Sequence, residues 1–152
     1  MFEKKAKAKT YLVCDGDALD AGRGIVILGY FAIALKVLHI PEDMPNRRRR
    51  ELDGFAAKIG GIPIQDIPCY LIGQIARDAR VSREVLSGAE LVEDALRVIM
   101  AAVEAVGGRF AMIECHNHKK LLRFYHDNAF VEVGHACDGT VPMVQMLRKL
   151  VD

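Results

Sequence analysis

Two hydrophobic periodicities stand out along the chain. Between Ser87 and Gly107, apolar residues recur at spacings of three and four: Leu91, Val92, Ala95, Leu96, Ile99, Ala102, Val103 and Val106. That is the stripe of an amphipathic helix with one face on a core. Ser87 is placed to cap this helix, and Glu90, three residues on, to close a capping box. Gly107 and Gly108 supply the stop. Just upstream, residues 67–75 form an apolar run with β-branched and aromatic members, opened by Pro68 and short enough for a strand. A strand feeding a loop and then a helix N-terminus brings free amide groups and the positive end of the helix dipole to one spot. Such a spot suits a phosphate. Many α/β proteins carry the same arrangement without a ligand, so the pattern by itself identifies no site.

The remaining pattern extends the picture in both directions. Residues 10–14 predict a short strand, 15–24 a turn region rich in Asp and Gly, and 25–38 a long strand in which Gly29 marks a bulge or bend. The two strands are expected to form a hairpin, ended by Ile40-Pro41. Residues 46–60 predict a helix, with Asn46 as its cap and Leu52, Phe55, Ala56 and Ile59 on one face. Arg47, Arg48, Arg49 and Arg50 then fall in its first turn, where the helix end is already positive. A solvated surface turn accounts for them; an anionic partner that offsets the clash is the sharper alternative. Residues 109–115 predict a strand, 118–128 a short helix with Leu121, Leu122, Phe124 and Tyr125 inward, and 130–133 a strand. Asp138-Gly139 marks a turn before a last strand over 141–150. The order, ββ(α)βαβαββ, describes one α/β domain over residues 1–152 with a mixed sheet.

Bulk properties narrow the class. A chain of 152 residues, 51% hydrophobic and 27% charged, suits one globular domain with a real core. A net charge of +1 gives no global field toward nucleic acid or membrane. The opening residues Phe2 to Lys9 contain no apolar signal region, and the longest uncharged stretch, 24–35, is short of the roughly 20 residues that span a bilayer. Cys14, Cys69, Cys115 and Cys137 have no disulfide or metal spacing, which predicts reduced thiols and a cytoplasmic location. A zinc set drawn from Cys115, His116, His118, His135 and Cys137 fits no zinc signature, so no metal is expected.

Two segments carry a family resemblance. The first is Ile72-Gly73-Gln74-Ile75-Ala76-Arg77-Asp78, a loop ending at Gly88, and then Gly-x-x-Leu-Val-x-x-Ala-Leu to Leu96. It resembles the acetyl-CoA-binding segment of the GNAT N-acetyltransferases. The second, Arg123-Phe124-Tyr125-His126-Asp127-Asn128-Ala129-Phe130, is similar to that family's Phe-Tyr-x-x-x-Gly-Phe signature, in the family's order and separation. The resemblance covers roughly residues 10–150. It implies a mixed, mostly antiparallel sheet with splayed central strands and flanking helices, and an enzyme that moves an acetyl group from acetyl-CoA to a primary amine.

The resemblance also assigns residues. Backbone groups of Ile75, Ala76 and Arg77 would pair with the pantetheine arm. Arg83, Ser87, Gly88 and Ala89 would hold the pyrophosphate, with Leu86 standing where a glycine is usual. Tyr125 would protonate the departing thiolate, and His118 takes a position often held by a cofactor-contacting asparagine. Ala129 replaces the motif glycine. No base stands out; Glu114 lies near the end of the strand beside the cleft, and His116 follows with alternate facing. The acceptor is a small-molecule amine or, as in toxin acetyltransferases of this outline, one carried on aminoacyl-tRNA. The third reading is a non-catalytic acyl-CoA-binding module. Family members begin with a strand and helices that wall the acceptor site, whereas about nine residues precede Thr10 here and resemble the tail of the second helix. A short chain, a fragment, or a partner subunit such as a second copy in a homodimer are the alternatives.

Overall fold

The computed structural model describes residues 7–152. Its elements are β1 (Ala8–Cys14), α1 (Gly16–Asp20), β2 (Ile27–His39), α2 (Asn46–Asp53), β3 (Lys58–Ile59), β4 (Ile62–Pro63), β5 (Asp66–Arg77), α3 (Gly88–Val106), β6 (Phe110–His116), α4 (Lys119–Asp127), β7 (Val131–Asp138) and β8 (Val141–Lys149). Six strands form one sheet in the order β1-β2-β5-β6-β8-β7, and β3 and β4 make a separate small hairpin. Every pairing in the large sheet is antiparallel except β5 with β6. The expected mixed, mostly antiparallel sheet is present.

Strand alternation distributes the core to two faces. On β5, Tyr70 and Ile72 face α3 and α4, together with Ala111, Ile113 and Cys115 of β6. Ile67 and Cys69 face the other way, with Phe110 and Met112, against Leu52 of α2 and Ile64 beyond the hairpin. The α3 stripe forms as its periodicity requires: Leu91, Val92, Ala95, Leu96 and Ile99 are buried, and Ser87 and Glu90 close the capping box.

Two glycines mark bulges. Opposite Val13 and Cys14, β2 carries one extra residue next to Gly29, where the long strand was expected to bend. The second bulge lies on β5, where Ala32 pairs with Gln74 but Ile33 with Ile72, leaving Gly73 as the inserted residue. Ile72 and Ile75 consequently both pack on the α3 side although they are three apart.

Several expectations are corrected. Residues 15–24 are not all turn: Asp15 accepts a bond from the Ala18 amide at 3.1 Å and caps the short α1. The helix expected over 46–60 stops at Asp53. Gly54, in the left-handed conformation at φ 87°, ends it, and the Asp53 carboxylate turns the chain by accepting from the Phe55 and Ala56 amides. Phe55 is 91% exposed, and Ile59 lies in a hairpin strand. Pro45, not Asn46, is the cap residue. Ala8 and Lys9, expected at the tail of a helix, are strand, and residues 1–6 lie outside the described residues.

The arginine run divides. Arg47 and Arg48 are surface residues paired with Glu51, whose carboxyl they pull down, the Arg48 hydrogen bond foremost. Arg49 is 2% exposed. Its guanidinium donates to the carbonyls of Met44 (3.0 Å), Pro41 and Glu42 (2.8 Å each) and Ile64. A solvated turn does not describe Arg49, which ties α2 to the segments before it and after it.

Candidate active site

The parallel pair at the centre of the sheet is short. Tyr70, Leu71 and Ile72 pair with Ala111, Met112 and Ile113, and there the ladder ends. Yet β5 continues to Arg77 and β6 to His116. Past Ile72 the β6-facing edge of β5 has no strand beside it, so a gap opens through the sheet. Ile75, Ala76 and Arg77 lie along that free edge while their other edge pairs with Phe31, Tyr30 and Gly29 of β2. Gly73, the bulge residue, sits where the gap begins.

The loop from β5 to α3 is built by specific bonds. Arg80 donates to Asp78 from backbone and side chain, side-chain bonds foremost, and the Asp78 carboxyl falls to about 2. The Ser82 carbonyl accepts from the Val85 and Leu86 amides, forming one turn. Leu86 is 5% exposed and turns its side chain into the core beside Gly29. A Cβ on Gly29 would meet the Ala76 carbonyl at 2.7 Å and Leu86 Cδ2 at 3.2 Å. Where the family pattern has glycine, this chain therefore uses the extra side chain as an internal plug and keeps it away from the loop's outer surface.

Charge gathers at the same loop. Arg77 donates to the Leu86 carbonyl at 2.9 Å, and its Nε is buried with no partner among the described residues. Arg83 is exposed, and the Glu84 carboxyl is pulled down by its own backbone amide first, then by the Ser82 hydroxyl and the Arg77 and Arg83 cations. At the helix start the Ser87 amide donates to Glu90 at 2.7 Å, and the Glu90 amide to the Ser87 hydroxyl at 3.1 Å. Gly88 and Ala89 follow as the first helical residues, whose N–H groups have no carbonyl inside the helix to bond. A Cβ at Gly88 would lie 3.0 Å from the Phe124 ring, so α4 packs directly across the start of α3. An orphaned guanidinium nitrogen, a free strand edge and a helix start together fit an extended ligand ending in phosphates.

Tyr125 and Glu114 stand on opposite faces of the gap. Tyr125, 7% exposed, packs edge-on against Phe124 and Phe130, on the α3 side with Cys115. Burial first, and the neighbouring Cys115 second, push its phenol up to about 12. Glu114 is one residue past the last β5–β6 pair and faces the other side. Both of its oxygens lie 2.7 Å from Lys36 Nζ, and Gln145 donates to it at 2.9 Å. His118 is the exposed cap residue of α4 and makes no side-chain capping bond. Of the expected residues, Ile75, Ala76 and Arg77 lie on the free edge of β5, Ser87, Gly88 and Ala89 at the head of α3, and Tyr125 and Glu114 on opposite faces of the sheet, while Arg83 and His118 are exposed. Lys36, Gln145 and the Gly73 bulge were not anticipated. A glycine inside the strand pattern was the available signal for the bulge; nothing local pointed to Lys36 or Gln145.

Among the described residues no cluster of three His, Cys, Asp or Glu side chains could hold a metal ion, and no helix is long and apolar enough to cross a membrane. No protein-family model matches the chain. No curated protein matches it either. Solved structures do. Over 98% of this chain and 74% of the other, it superposes on AtaTR bound with AcCoA, with a TM-score of 0.65 and 20% identity. A tyrosine-to-phenylalanine variant of KacT gives a TM-score of 0.67 at 19% identity, over 98% and 75% of the two chains. The chain has the GNAT fold. AtaT complexed with acetyl-methionyl-tRNAfMet is a further GNAT-fold neighbour, with a TM-score of 0.59 at 18% identity over 94% and 73%. In GNAT terms, the opening between β5 and β6 is the splay of the central strands.

Proposed function

We propose that the protein is an acetyl-CoA-dependent N-acetyltransferase acting on a primary amine. The observation that carries this reading is the gap after Ile72 and Ile113, with a protonated phenol on one face and a carboxylate on the other. The free edge at Ile75, Ala76 and Arg77 would take the pantetheine arm as an added strand. Arg77, Arg83 and the amides of Gly88 and Ala89 would hold the pyrophosphate, with Ser87 fixing the helix start. When bound, the cofactor supplies an activated acetyl thioester. Tyr125 holds the proton that the sulfur takes as it leaves, and Glu114 accepts the proton that the acceptor's ammonium must lose. His118 closes the rim at the head of α4. The AtaTR structure with AcCoA supports this choice of cofactor.

Thermal unfolding with and without ligand tests the reading. Acetyl-CoA and free CoA should both stabilise the protein, by about 2.7 kcal/mol at a hundredfold excess over the dissociation constant. An unchanged melting temperature at saturating ligand sinks it. Stabilisation without turnover on any amine leaves a binding module.

A second reading is acetylation of an amine on aminoacyl-tRNA. The AtaT complex with acetyl-methionyl-tRNAfMet supports it, and so does a groove of about 800 Å³ between α2 and the sheet. Arg47, Arg48, Arg50, Arg109 and Lys149 rim this groove, and Phe110, Val131 and Leu147 floor it. Changing Arg47, Arg48 and Arg50 together to Gln should leave stability within about 1 kcal/mol, because exposed pairs contribute little. If the groove contacts phosphates, the slope of log affinity for tRNA against log salt should become shallower by about 2–3. Identical slopes for both proteins remove the groove from tRNA recognition.

A further inference from the structure

Lys36 and Glu114 form an ion pair that spans the central strand β5. Lys36 belongs to β2, where its partner across the ladder is Cys69 of β5, on the face away from α3. From there its side chain crosses β5 and ends at Glu114 of β6, with Nζ 2.7 Å from both carboxylate oxygens. Glu114 is the first β6 residue beyond the ladder. The residue next to it across the opening is Gly73, which has no side chain; a Cβ there would find only Leu71 Cδ2, at 3.9 Å. The side chain of Lys36 is 38% exposed against 18% for Glu114, so the amine stands at the mouth of the gap with the carboxylate behind it. Gln145 fixes one carboxylate oxygen from the far side. A primary amine is thus held against the group that would deprotonate an acceptor, on the face opposite Tyr125.

We infer that Lys36 is itself an acetyl acceptor: without an external amine, the protein transfers the acetyl group to its own Lys36 side chain. The inference rests on the acetyl-CoA reading above. Glu114 takes a proton from the Lys36 ammonium, and the freed lone pair attacks the thioester carbonyl carbon. The C–N bond forms and the C–S bond breaks. Tyr125 donates its proton to the departing sulfur and recovers one from the nitrogen as the amide forms. The products are Nε-acetyl-lysine and CoA, with one proton released from Glu114 to solvent. Acetylation removes the charge that holds Lys36 on Glu114, so the same reaction frees the carboxylate for an external ammonium.

The test incubates the purified protein with isotopically labelled acetyl-CoA and no acceptor, and follows intact mass and peptide mass over time. Lys36 should gain one acetyl group ahead of every other lysine, with a first-order rate independent of protein concentration. Tyr125→Phe should slow this by about 10²-fold or more, Glu114→Gln should slow it too, and Lys36→Arg should abolish the mapped product. Melting curves of each variant show that it is folded, and a thermal shift with acetyl-CoA shows that it binds. Label spread over surface lysines at a rate unchanged in Tyr125→Phe overturns the inference. Acetyl-CoA binding with acetylation of an added amine but not of Lys36 overturns it while leaving the enzyme reading intact. Absence of acetyl-CoA binding overturns both.

Discussion

Arg49→Ala is expected to lower stability by about 3–5 kcal/mol. The guanidinium is 2% exposed and donates to four backbone carbonyls. Each carbonyl left unpaired away from water costs about 1–3 kcal/mol, and those at the margin recover part of this from solvent. No compensating gain arises, because the cavity left behind is polar. For a chain of this length each kcal/mol moves the melting temperature by about 2–4 °C, so a drop of roughly 10 °C is expected. Arg49→Lys should recover little. An ammonium keeps the charge but cannot present the planar fork that reaches Pro41, Glu42, Met44 and Ile64 together. Paired urea and thermal unfolding of both variants check this, and a loss under about 1 kcal/mol for Arg49→Ala would show that the carbonyls find other partners.

Tyr125→Phe is expected to leave the fold nearly unchanged and to reduce kcat by a factor of about 10²–10⁴. The ring keeps its edge-on contacts with Phe124 and Phe130, and among the described residues the hydroxyl has no hydrogen-bond partner to lose. KM for acetyl-CoA should hold, since the proton is needed only as the C–S bond breaks. Burial has pushed the phenol up to about 12, above its usual 10, so at neutral pH the hydroxyl is fully protonated. The raised value favours the protonated fold; that contribution is complete below pH 10 and is lost as pH rises from 10 toward 12. An alkaline limb in the rate below pH 10 therefore belongs to another group, and should survive in any residual activity of the Phe variant. Wild-type turnover in Tyr125→Phe would assign the ring to packing alone.

Much of this architecture was readable because it is local. The α3 stripe, its capping box and the β1–β2 hairpin follow from spacings inside one segment, and the resemblance placed Tyr125 and the loop before Gly88 at one opening. Most of what escaped reading is non-local; the end of α2 is the local exception. The helix expected to reach Gly60 stops at Gly54, because Asp53 bonds the next two free amides; the spacing of Leu52, Phe55 and Ile59 outweighed that glycine in the sequence. Arg49 looks like its three neighbours in composition, and only the return of Ile64 beside Pro41 makes it a buried clamp. Leu86 reads as a damaged phosphate loop until Gly29, fifty-seven residues earlier, is seen to leave room for its side chain. Lys36 and Gln145 reach Glu114 from strands on either side of it, a meeting that no sequence spacing encodes.

The short parallel ladder also has a mechanical meaning. Only three register pairs join β5 to β6, while β2–β5 and β6–β8 are long ladders on either side. The sheet is therefore two stiff panels joined by a narrow seam, and α3 packs mainly on the panel that holds β2 and β5. Prying at the open end loads a seam about three residues deep, and such a seam yields before either panel does. A ligand wedged into the opening would bond to one panel along β5 and press on the other at Glu114 and Tyr125. It would act as a rivet, and the stiffness of the whole sheet would depend on whether that opening is filled.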